Sequence, residues 1–150
     1  MLSDWGRPTV GIFQTAFVVK DLDVAIEQFT KRFNVGPWAV FRDAEPVGTL
    51  YRGEPAQAIL HLAFGLAGHM TYELVQLADD APSVYRDVVD DRGYGFHHFG
   101  YGTTTLDEDV SAMIAEGYAA VTNLDTPELR LAMFDTRDVL PGMTELIEVK

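Results

Sequence analysis

The first half of the chain alternates between apolar runs that predict strands and one amphipathic segment that predicts a helix. Residues 10–19 form an apolar run broken by Gln14 and Thr15, which is typical of a largely buried strand. In residues 21–33, apolar side chains recur at helical spacing, and Asp21 stands where a carboxylate accepts hydrogen bonds from the first free N–H groups. Turn-forming residues then separate three strand-like runs, which occupy residues 38–42, 58–64 and 71–77.

The second half of the chain returns to the same order of elements after a polar segment. Ser83 predicts the N-cap of a short helix that ends near Asp91. Residues 96–103 alternate like a strand, and a helix that opens at Thr105 or Asp107 follows. Three more strand-like runs complete the half, at residues 119–122, 129–135 and 144–149.

The two halves align as an internal repeat, which we place at about residues 10–77 and 96–149 of a single domain covering residues 1–150. The alignment pairs a polar residue in each first strand, Gln14 with His98. It also pairs a carboxylate in each last strand, so that the motif around Glu73 matches the motif around Glu145. The repeat therefore predicts two copies of one βαβββ module.

Composition narrows the class of protein. With 150 residues, of which 47% are hydrophobic, the chain can bury the core of one ordinary domain. Its formal net charge of −12 disfavours nucleic acid and anionic lipid as partners, and its apolar runs are too short to span a bilayer. The first ten residues, MLSDWGRPTV, lack the pattern of a signal peptide, so we expect a cytoplasmic protein.

The repeated polar positions predict a metal site. A glutamate among apolar strand neighbours is costly to bury unless its charge is compensated, and both Glu73 and Glu145 have such neighbours. One divalent ion bound by both carboxylates, the imidazole of His98 and the amide oxygen of Gln14 would compensate them. The chain has no cysteine, and a site built from nitrogen and oxygen suits Zn, Ni, Co, Mn, Fe or Mg.

Each of these side chains, taken alone, also fits a structural role. Gln14 could be a polar residue at the start of a strand, and the two glutamates could face solvent from a one-sided sheet. Strand alternation sends either His97 or His98 away from the site, and register with Gln14 favours His98 as the ligand, leaving His97 to support it or to face outward. Two other histidines match no ligand position and are predicted to be structural or solvated, namely His61 and His69.

The order of these motifs resembles the vicinal oxygen chelate superfamily, which includes glyoxalase I, methylmalonyl-CoA epimerase, bleomycin-resistance proteins and extradiol dioxygenases. The stretches that carry the resemblance are QTAFVVKDLDVAIEQFTKRFNVGPW, TYELVQ, GFHHFGY and TELIEV. Two others, DAPSVYRDVV and MFDTRDVLPGMTELIE, are similar to the glyoxalase-like and epimerase-like branch. The resemblance implies an α+β fold in which two βαβββ modules form a curved mixed sheet, or cup, with flanking helices. It also implies a metal inside the cup, held by Gln14, Glu73, His98 and Glu145.

The resemblance further implies a metal-dependent isomerase, epimerase or lyase that removes a proton next to a carbonyl through an enolate or enediolate. Glu145 would be the base, Glu73 could share its work, and Glu45 and Glu54 lie in loops from which a second base could enter. The expected partners are a small-molecule carbonyl or thioester substrate and a second copy of the chain in a homodimer.

Two alternatives stay open at this stage. A metal-free protein of the same fold could sequester a small ligand, and an iron-dependent dioxygenase is disfavoured because the predicted ligand set contains only one histidine. Four aromatic residues are predicted to bind substrate, namely Trp38, Tyr51, Tyr101 and Phe134. Three arginines could hold an anionic group of the substrate or lie solvated on the surface, namely Arg52, Arg86 and Arg137.

Overall fold

The predicted strands and helices occur in the predicted order in the computed structural model, which describes residues 11–150. Val10 and the rest of the amino-terminal segment discussed above therefore lie outside the described residues. The helices are α1 (Leu22–Phe33), α2 (Val84–Arg92) and α3 (Leu106–Ala115). The strands are β1 (Gly11–Val18), β2 (Trp38–Ala44), β3 (Thr49–Tyr51), β4 (Glu54–Pro55), β5 (Leu60–Ala67), β6 (Met70–Leu77), β7 (Gly95–Gly102), β8 (Ala120–Asp125), β9 (Leu129–Phe134) and β10 (Met143–Val149).

The helices begin where the capping residues predict. The side chain of Asp21 accepts a hydrogen bond from the backbone N–H of Val24 at 3.0 Å, and Ser83 accepts one from the N–H of Arg86 at 3.0 Å. Thr105 is the N-cap residue of α3, although its side chain makes no capping hydrogen bond. The three predicted helices are thus confirmed, with ends within a few residues of those expected.

The hairpin β3–β4 was not predicted. Its strands are only three and two residues long, and Tyr51 faces Glu54 across a two-residue turn. Both turn residues have positive φ, 51° at Arg52 and 84° at Gly53, as a type I′ turn requires. Such short strands carry too little hydrophobic alternation to be recognised from the sequence.

All ten strands form one sheet in the order β2-β5-β6-β1-β7-β10-β9-β8-β3-β4. At its centre β1 and β7 are antiparallel, while β6 runs parallel to β1 and β10 runs parallel to β7. Although β2 and β3 lie near opposite edges, only residues 45–48 join them. Five chain steps span at most roughly 18 Å, so the sheet must curl strongly. The predicted fold class, two βαβββ modules in a curved mixed sheet, is confirmed.

Helices α1 and α3 cover the outer face of the curled sheet, whereas α2 packs on the concave face. Leu22 of α1 packs with Ala63 and Leu74 of the sheet, while Leu106 of α3 packs in a second cluster with Phe134. Because α1 and α3 bury the apolar side chains of the outer face, the concave face is left to line a cavity together with the first turn of α2. None of the helices in the described part of the chain is long and apolar enough to cross a membrane.

Candidate metal centre

The four predicted donors lie on the four central strands of the sheet and point to its concave side. Gln14 belongs to β1, Glu73 to β6, His98 to β7 and Glu145 to β10. Each is at most 6% exposed, and His98 is completely buried. Two carboxylates, an imidazole and an amide are thus enclosed together, with little access to the water that would solvate their charges.

The donor atoms converge to within hydrogen-bonding distance of one another. Gln14 Nε2 lies 2.8 Å from Glu73 Oε2, 3.2 Å from His98 Nε2 and 3.3 Å from Glu145 Oε2. His98 Nε2 is itself 3.3 Å from Glu73 Oε2 and 3.2 Å from Glu145 Oε2. The structure therefore brings together all four side chains that the sequence singles out.

Two small residues make this convergence possible. Gly100 of β7 lies between Gln14 and Glu145 in the sheet, and its missing side chain lets them lean together across two strand spacings of about 4.8 Å each. In the same way, Ala16 of β1 lies between Glu73 and His98. Large donors thus alternate with small spacers on the concave face.

We expect Gly100→Ala to weaken metal binding and to destabilise the fold by about 1–3 kcal/mol, as overpacking does. A Cβ atom at position 100 would lie 2.7 Å from Gln14 Cβ, which is backbone-anchored and cannot move away freely. Urea unfolding and calorimetric titration with Zn²⁺ would measure the two effects. The double variant Gly100→Ala, Gln14→Gly lacks this contact, so its loss of stability should be smaller than the sum of the losses in the two single variants. A loss equal to that sum would contradict this explanation.

Bulges in two strands flank the donors. In the pairing of β1 with β7, Ala16 and Phe17 of β1 have partners on β7, but His97, which lies between those two partners, has no partner on β1. Phe13 of β1 likewise has no partner on β7. The bulge breaks the alternation, so both His97 and His98 are completely buried and their Nδ1 atoms lie 2.9 Å apart. The expectation that one of the two histidines must face away is therefore wrong, because it assumed a regular strand.

His97 fixes the orientation of His98. Its Nε2 lies 3.1 Å from the carbonyl oxygen of Val84, to which only an N–H can donate. His97 Nδ1 is then the acceptor for Nδ1–H of His98, which directs His98 Nε2 toward the carboxylates, where it carries a proton in the protein alone and would bind a metal ion after losing it. Burial, with a smaller contribution from His98, lowers the pKa of His97 to about 3, so its imidazole stays neutral, as this arrangement requires.

We expect His97→Phe to lower metal affinity about 10- to 100-fold, the usual effect of losing a group that orients a ligand. Phenylalanine keeps a planar aromatic ring, slightly larger than imidazole, but leaves Nδ1–H of His98 without an acceptor. Calorimetric titration with Zn²⁺ would measure the change, and His69→Phe, in an exposed turn, is the matched control. Equal affinities of the two variants would show that His97 does not position His98.

The donors form an electrostatically coupled group. Burial alone would lower the pKa of His98, but the charges and hydrogen bonds of Glu145 and Glu73 outweigh it and raise the pKa to about 10. Burial raises the pKa of Glu73 above its usual range, although its contacts with His98 oppose this. In the protein alone, a proton on His98 thus partly neutralises the two carboxylates.

These residues fit a divalent ion in place of that proton. Glu73, His98 and Glu145 offer ligand atoms that all lie within 4.8 Å of one another. Donors on an ion at about 2.1 Å stand about 3.0–3.4 Å apart, close to the separations found here. Gln14 presents Nε2 to its neighbours, and a half-turn of its carboxamide would present Oε1 instead. Two carboxylates balance the charge of such an ion.

A cavity of about 450 Å³ opens from the donors along the concave face. Of the aromatic residues predicted to bind substrate, Tyr51 lines it. Trp38, Tyr101 and Phe134 instead pack on the outer face beneath α1 and α3, and their expected place in the pocket is corrected accordingly. Their side chains are one residue out of phase with those that face the cavity.

Tyr85 is a cavity residue that the sequence did not reveal. It lies in the first turn of α2, and its ring stacks against His97 with centroids 4.6 Å apart. Burial and the nearby charges of Glu73 and Glu145 raise its pKa well above the usual value, so its phenol stays protonated. In the sequence, Tyr85 simply follows the core residue Val84 in a predicted helix, and nothing there indicates a cavity. Its role becomes visible only when the packing of α2 is known.

The remaining candidates have separate places. Glu45 lines the cavity mouth, whereas Glu54 is exposed in β4 and does not line it. His61 accepts a hydrogen bond from the backbone N–H of Asp43, and His69 is exposed. The three arginines considered for an anionic substrate each pair with an acid, as Arg52 with Asp87, Arg86 with Asp80 and Arg137 with Asp135.

Comparison with known proteins supports the same class of fold. A family model described as the glyoxalase/bleomycin resistance protein/dioxygenase superfamily matches residues 13–129. A search of curated proteins gives no significant match.

Among solved structures, the chain is similar to a hypothetical protein from Bacillus halodurans C-125, at 15% identity and a TM-score of 0.69, covering 95% of this chain and 96% of the other. It is also similar to methylmalonyl-CoA epimerase from Mycobacterium tuberculosis, at 20% identity and a TM-score of 0.66, covering 92% and 87%. A variant of the Streptomyces coelicolor epimerase in complex with 2-nitronate-propionyl-CoA gives 17% identity, a TM-score of 0.64, and coverage of 92% and 93%. At these identities the likeness shows the fold.

Proposed function

The chain belongs to the glyoxalase/bleomycin resistance protein/dioxygenase superfamily, and from this membership together with its buried Glu-His-Glu cluster we propose that it is a divalent-metal-dependent isomerase, epimerase or lyase. The reaction is removal of a proton next to a carbonyl group, followed by its return or by loss of a leaving group. The observation that carries the proposal is the convergence of Glu73, His98 and Glu145 at the closed end of an apolar cavity.

Each residue of the cluster has a part in this proposal. Gln14, Glu73, His98 and Glu145 would hold the ion, which supplies Lewis acidity toward a carbonyl oxygen when bound. Glu145 takes the substrate proton, because its carboxylate lines the cavity. Glu73 lines it too and shares this work in the proposal by returning the proton. Return to the opposite face gives an epimer, and return to a neighbouring carbon gives an isomer.

The donor set favours this chemistry over dioxygenation. It contains one imidazole, because His97 directs its Nε2 to a backbone carbonyl rather than into the site. A two-histidine, one-carboxylate iron centre is therefore not formed by the described residues. The apolar cavity is the observation that favours the second candidate, a metal-free protein that sequesters a ligand. The homodimer and the cytoplasmic location stay predictions.

Hydrogen–deuterium exchange tests the proposal directly. Protein loaded with Zn²⁺, Ni²⁺ or Co²⁺, and protein treated with a chelator, would be incubated in D2O with 1-hydroxy-2-alkanones and with methylmalonyl-CoA, the thioester chosen from the names of the structural neighbours. We expect loss of the α-proton NMR signal from at least one compound, only with metal. Exchange without metal, or metal binding without exchange on any compound, would contradict the proposal, and the latter would favour the sequestering protein.

A further inference from the structure

We propose that the substrate of this site is an uncharged, largely apolar molecule that carries its oxygen atoms at one end, rather than a CoA or glutathione adduct. This inference rests on the proposed function, because it assigns the oxygenated end of the molecule to the Glu73–His98–Glu145 cluster. It follows from the walls of the cavity, from the sign of the charges around it and from two neutral hydroxyl groups beside the cluster.

The walls of the cavity are apolar along their length. Both halves of the sheet contribute, so a ligand inside would be surrounded by hydrocarbon and aromatic surface rather than resting on one side. The main apolar wall residues are Phe41, Leu62, Phe64, Leu124, Leu131 and Ile147. A volume of about 450 Å³ is in the range of sites that enclose a small organic molecule, for which burial of apolar surface supplies most of the affinity.

The charges that line the cavity are all negative. Glu73 and Glu145 lie at its closed end and Glu45 at its mouth, while the described residues that line it include no lysine, arginine or histidine. Arg52, the arginine next to the cavity residue Tyr51, is held by Asp87 at 2.9 Å. A ligand with several phosphates or carboxylates would thus approach carboxylates without a cationic partner, against a formal net charge of −12.

Two hydroxyl groups at the closed end suit neutral oxygens. Thr71 precedes Glu73 by two residues on the same face of β6 and lies opposite Gln14 in the sheet. Thr71 is 4% exposed, and its side chain and that of Tyr85 both line the cavity. A hydroxyl group can donate one hydrogen bond and accept others without carrying a charge, so a neutral ligand oxygen beside the cluster suits both groups.

A homologous series of ligands tests this inference. The Zn²⁺-loaded protein would be titrated calorimetrically with 1-hydroxy-2-butanone, 1-hydroxy-2-hexanone and 1-hydroxy-2-octanone, and with coenzyme A. We expect affinity to rise about fourfold for each added methylene group, with little dependence on salt, and coenzyme A not to bind at millimolar concentration. Affinity that does not change with chain length, or tight and salt-sensitive binding of coenzyme A, would overturn the inference.

A matched pair of variants locates the binding site. Leu62→Asn places an amide in the cavity wall and should weaken binding of the octanone at least tenfold without changing Zn²⁺ affinity, whereas Leu140→Asn makes the same change on an exposed loop and should have no effect. Equal octanone affinity in both variants would place the ligand elsewhere. Chain-length-dependent binding without α-proton exchange would overturn the proposed function alone, and metal-dependent exchange confined to the thioester would overturn this inference alone.

Discussion

Replacing Glu145 by glutamine is expected to lower the rate of metal-dependent α-proton exchange by about 10²- to 10⁴-fold, the contribution of a positioned general base. Glutamine keeps the shape of the side chain and an oxygen that can bind a metal, but it cannot accept the substrate proton. Because Glu145 is only 5% exposed and lies among Leu146 and Ile147 in β10, the isosteric amide should leave the fold intact. The rate would be measured by NMR in D2O under saturating metal.

Two control variants separate the base from the ligand. Glu73→Gln removes the other carboxylate of the cluster and is expected to weaken metal binding as Glu145→Gln does, but to reduce exchange less once metal is saturating. Glu128→Gln, at an exposed turn, should change neither. Metal content of each protein would be measured on the same samples. Full exchange activity in Glu145→Gln with metal bound would remove Glu145 from the role of base.

The donors could be proposed from sequence because a single alignment of the repeat places all of them. Gln14 and His98 open corresponding strands, and Glu73 and Glu145 occupy corresponding positions near the ends of the modules. The structure brings these four side chains within 3.3 Å contacts because their strands are neighbours at the centre of the sheet. An internal repeat thus carries three-dimensional information that no single motif does.

The aromatic lining could not be predicted because it depends on register at the level of one residue. Tyr101 lies three positions after His98, an odd spacing that places the two on opposite faces of β7. Phe134 is paired with Thr144, whereas its neighbour Met133 is paired with Glu145 and lines the cavity. A shift of one residue along a strand moves a side chain from the cavity to the core on the other face of the sheet. Aromatic residues suit both environments, so their identity does not indicate the face.

The bulge at His97 marks a second limit of sequence-based prediction. A regular strand would have turned either His97 or His98 outward, and the extra residue in β7 instead buries both. Nothing in the letters GFHHFGY distinguishes the two geometries. The consequence is functional, since the pair forms a chain of hydrogen bonds from the backbone of Val84 to the donor cluster.

The stability of the metal-free protein is expected to be greatest near pH 6.5 and to fall on both sides. The pKa of His97 is lowered to about 3, so below its ordinary value of 6.5 the unfolded chain binds a proton that the folded protein does not, and stability falls as the pH is lowered. The pKa of His98 is raised to about 10, so its contribution is fully present below pH 6.5 and is lost as the pH rises toward 10. The alkaline slope should approach about 1.4 kcal/mol per pH unit.

Metal should abolish the alkaline decline, because a bound ion takes the place of the His98 proton. Above pH 6.5 both the metal-loaded folded protein and the unfolded chain then have a deprotonated residue 98, so the free energy of unfolding becomes independent of pH. Metal affinity correspondingly rises about tenfold per pH unit. At a free Zn²⁺ concentration about 1,000 times the dissociation constant, the gain is about 4 kcal/mol, or a melting temperature higher by about 10 °C.

Urea unfolding at pH 6.5, 7.5 and 8.5, with Zn²⁺ or with a chelator, measures both slopes in one experiment. The difference between the two conditions should widen with pH in the native sequence and vanish in His98→Gln, which has neither the proton to displace nor the imidazole to bind. A difference that is the same at all three pH values would show that no proton leaves the cluster when metal binds. Because His98 Nε2 contacts both carboxylates, an ion bound to Glu73 and Glu145 would displace the His98 proton. That result would therefore show that the ion binds elsewhere on this acidic chain.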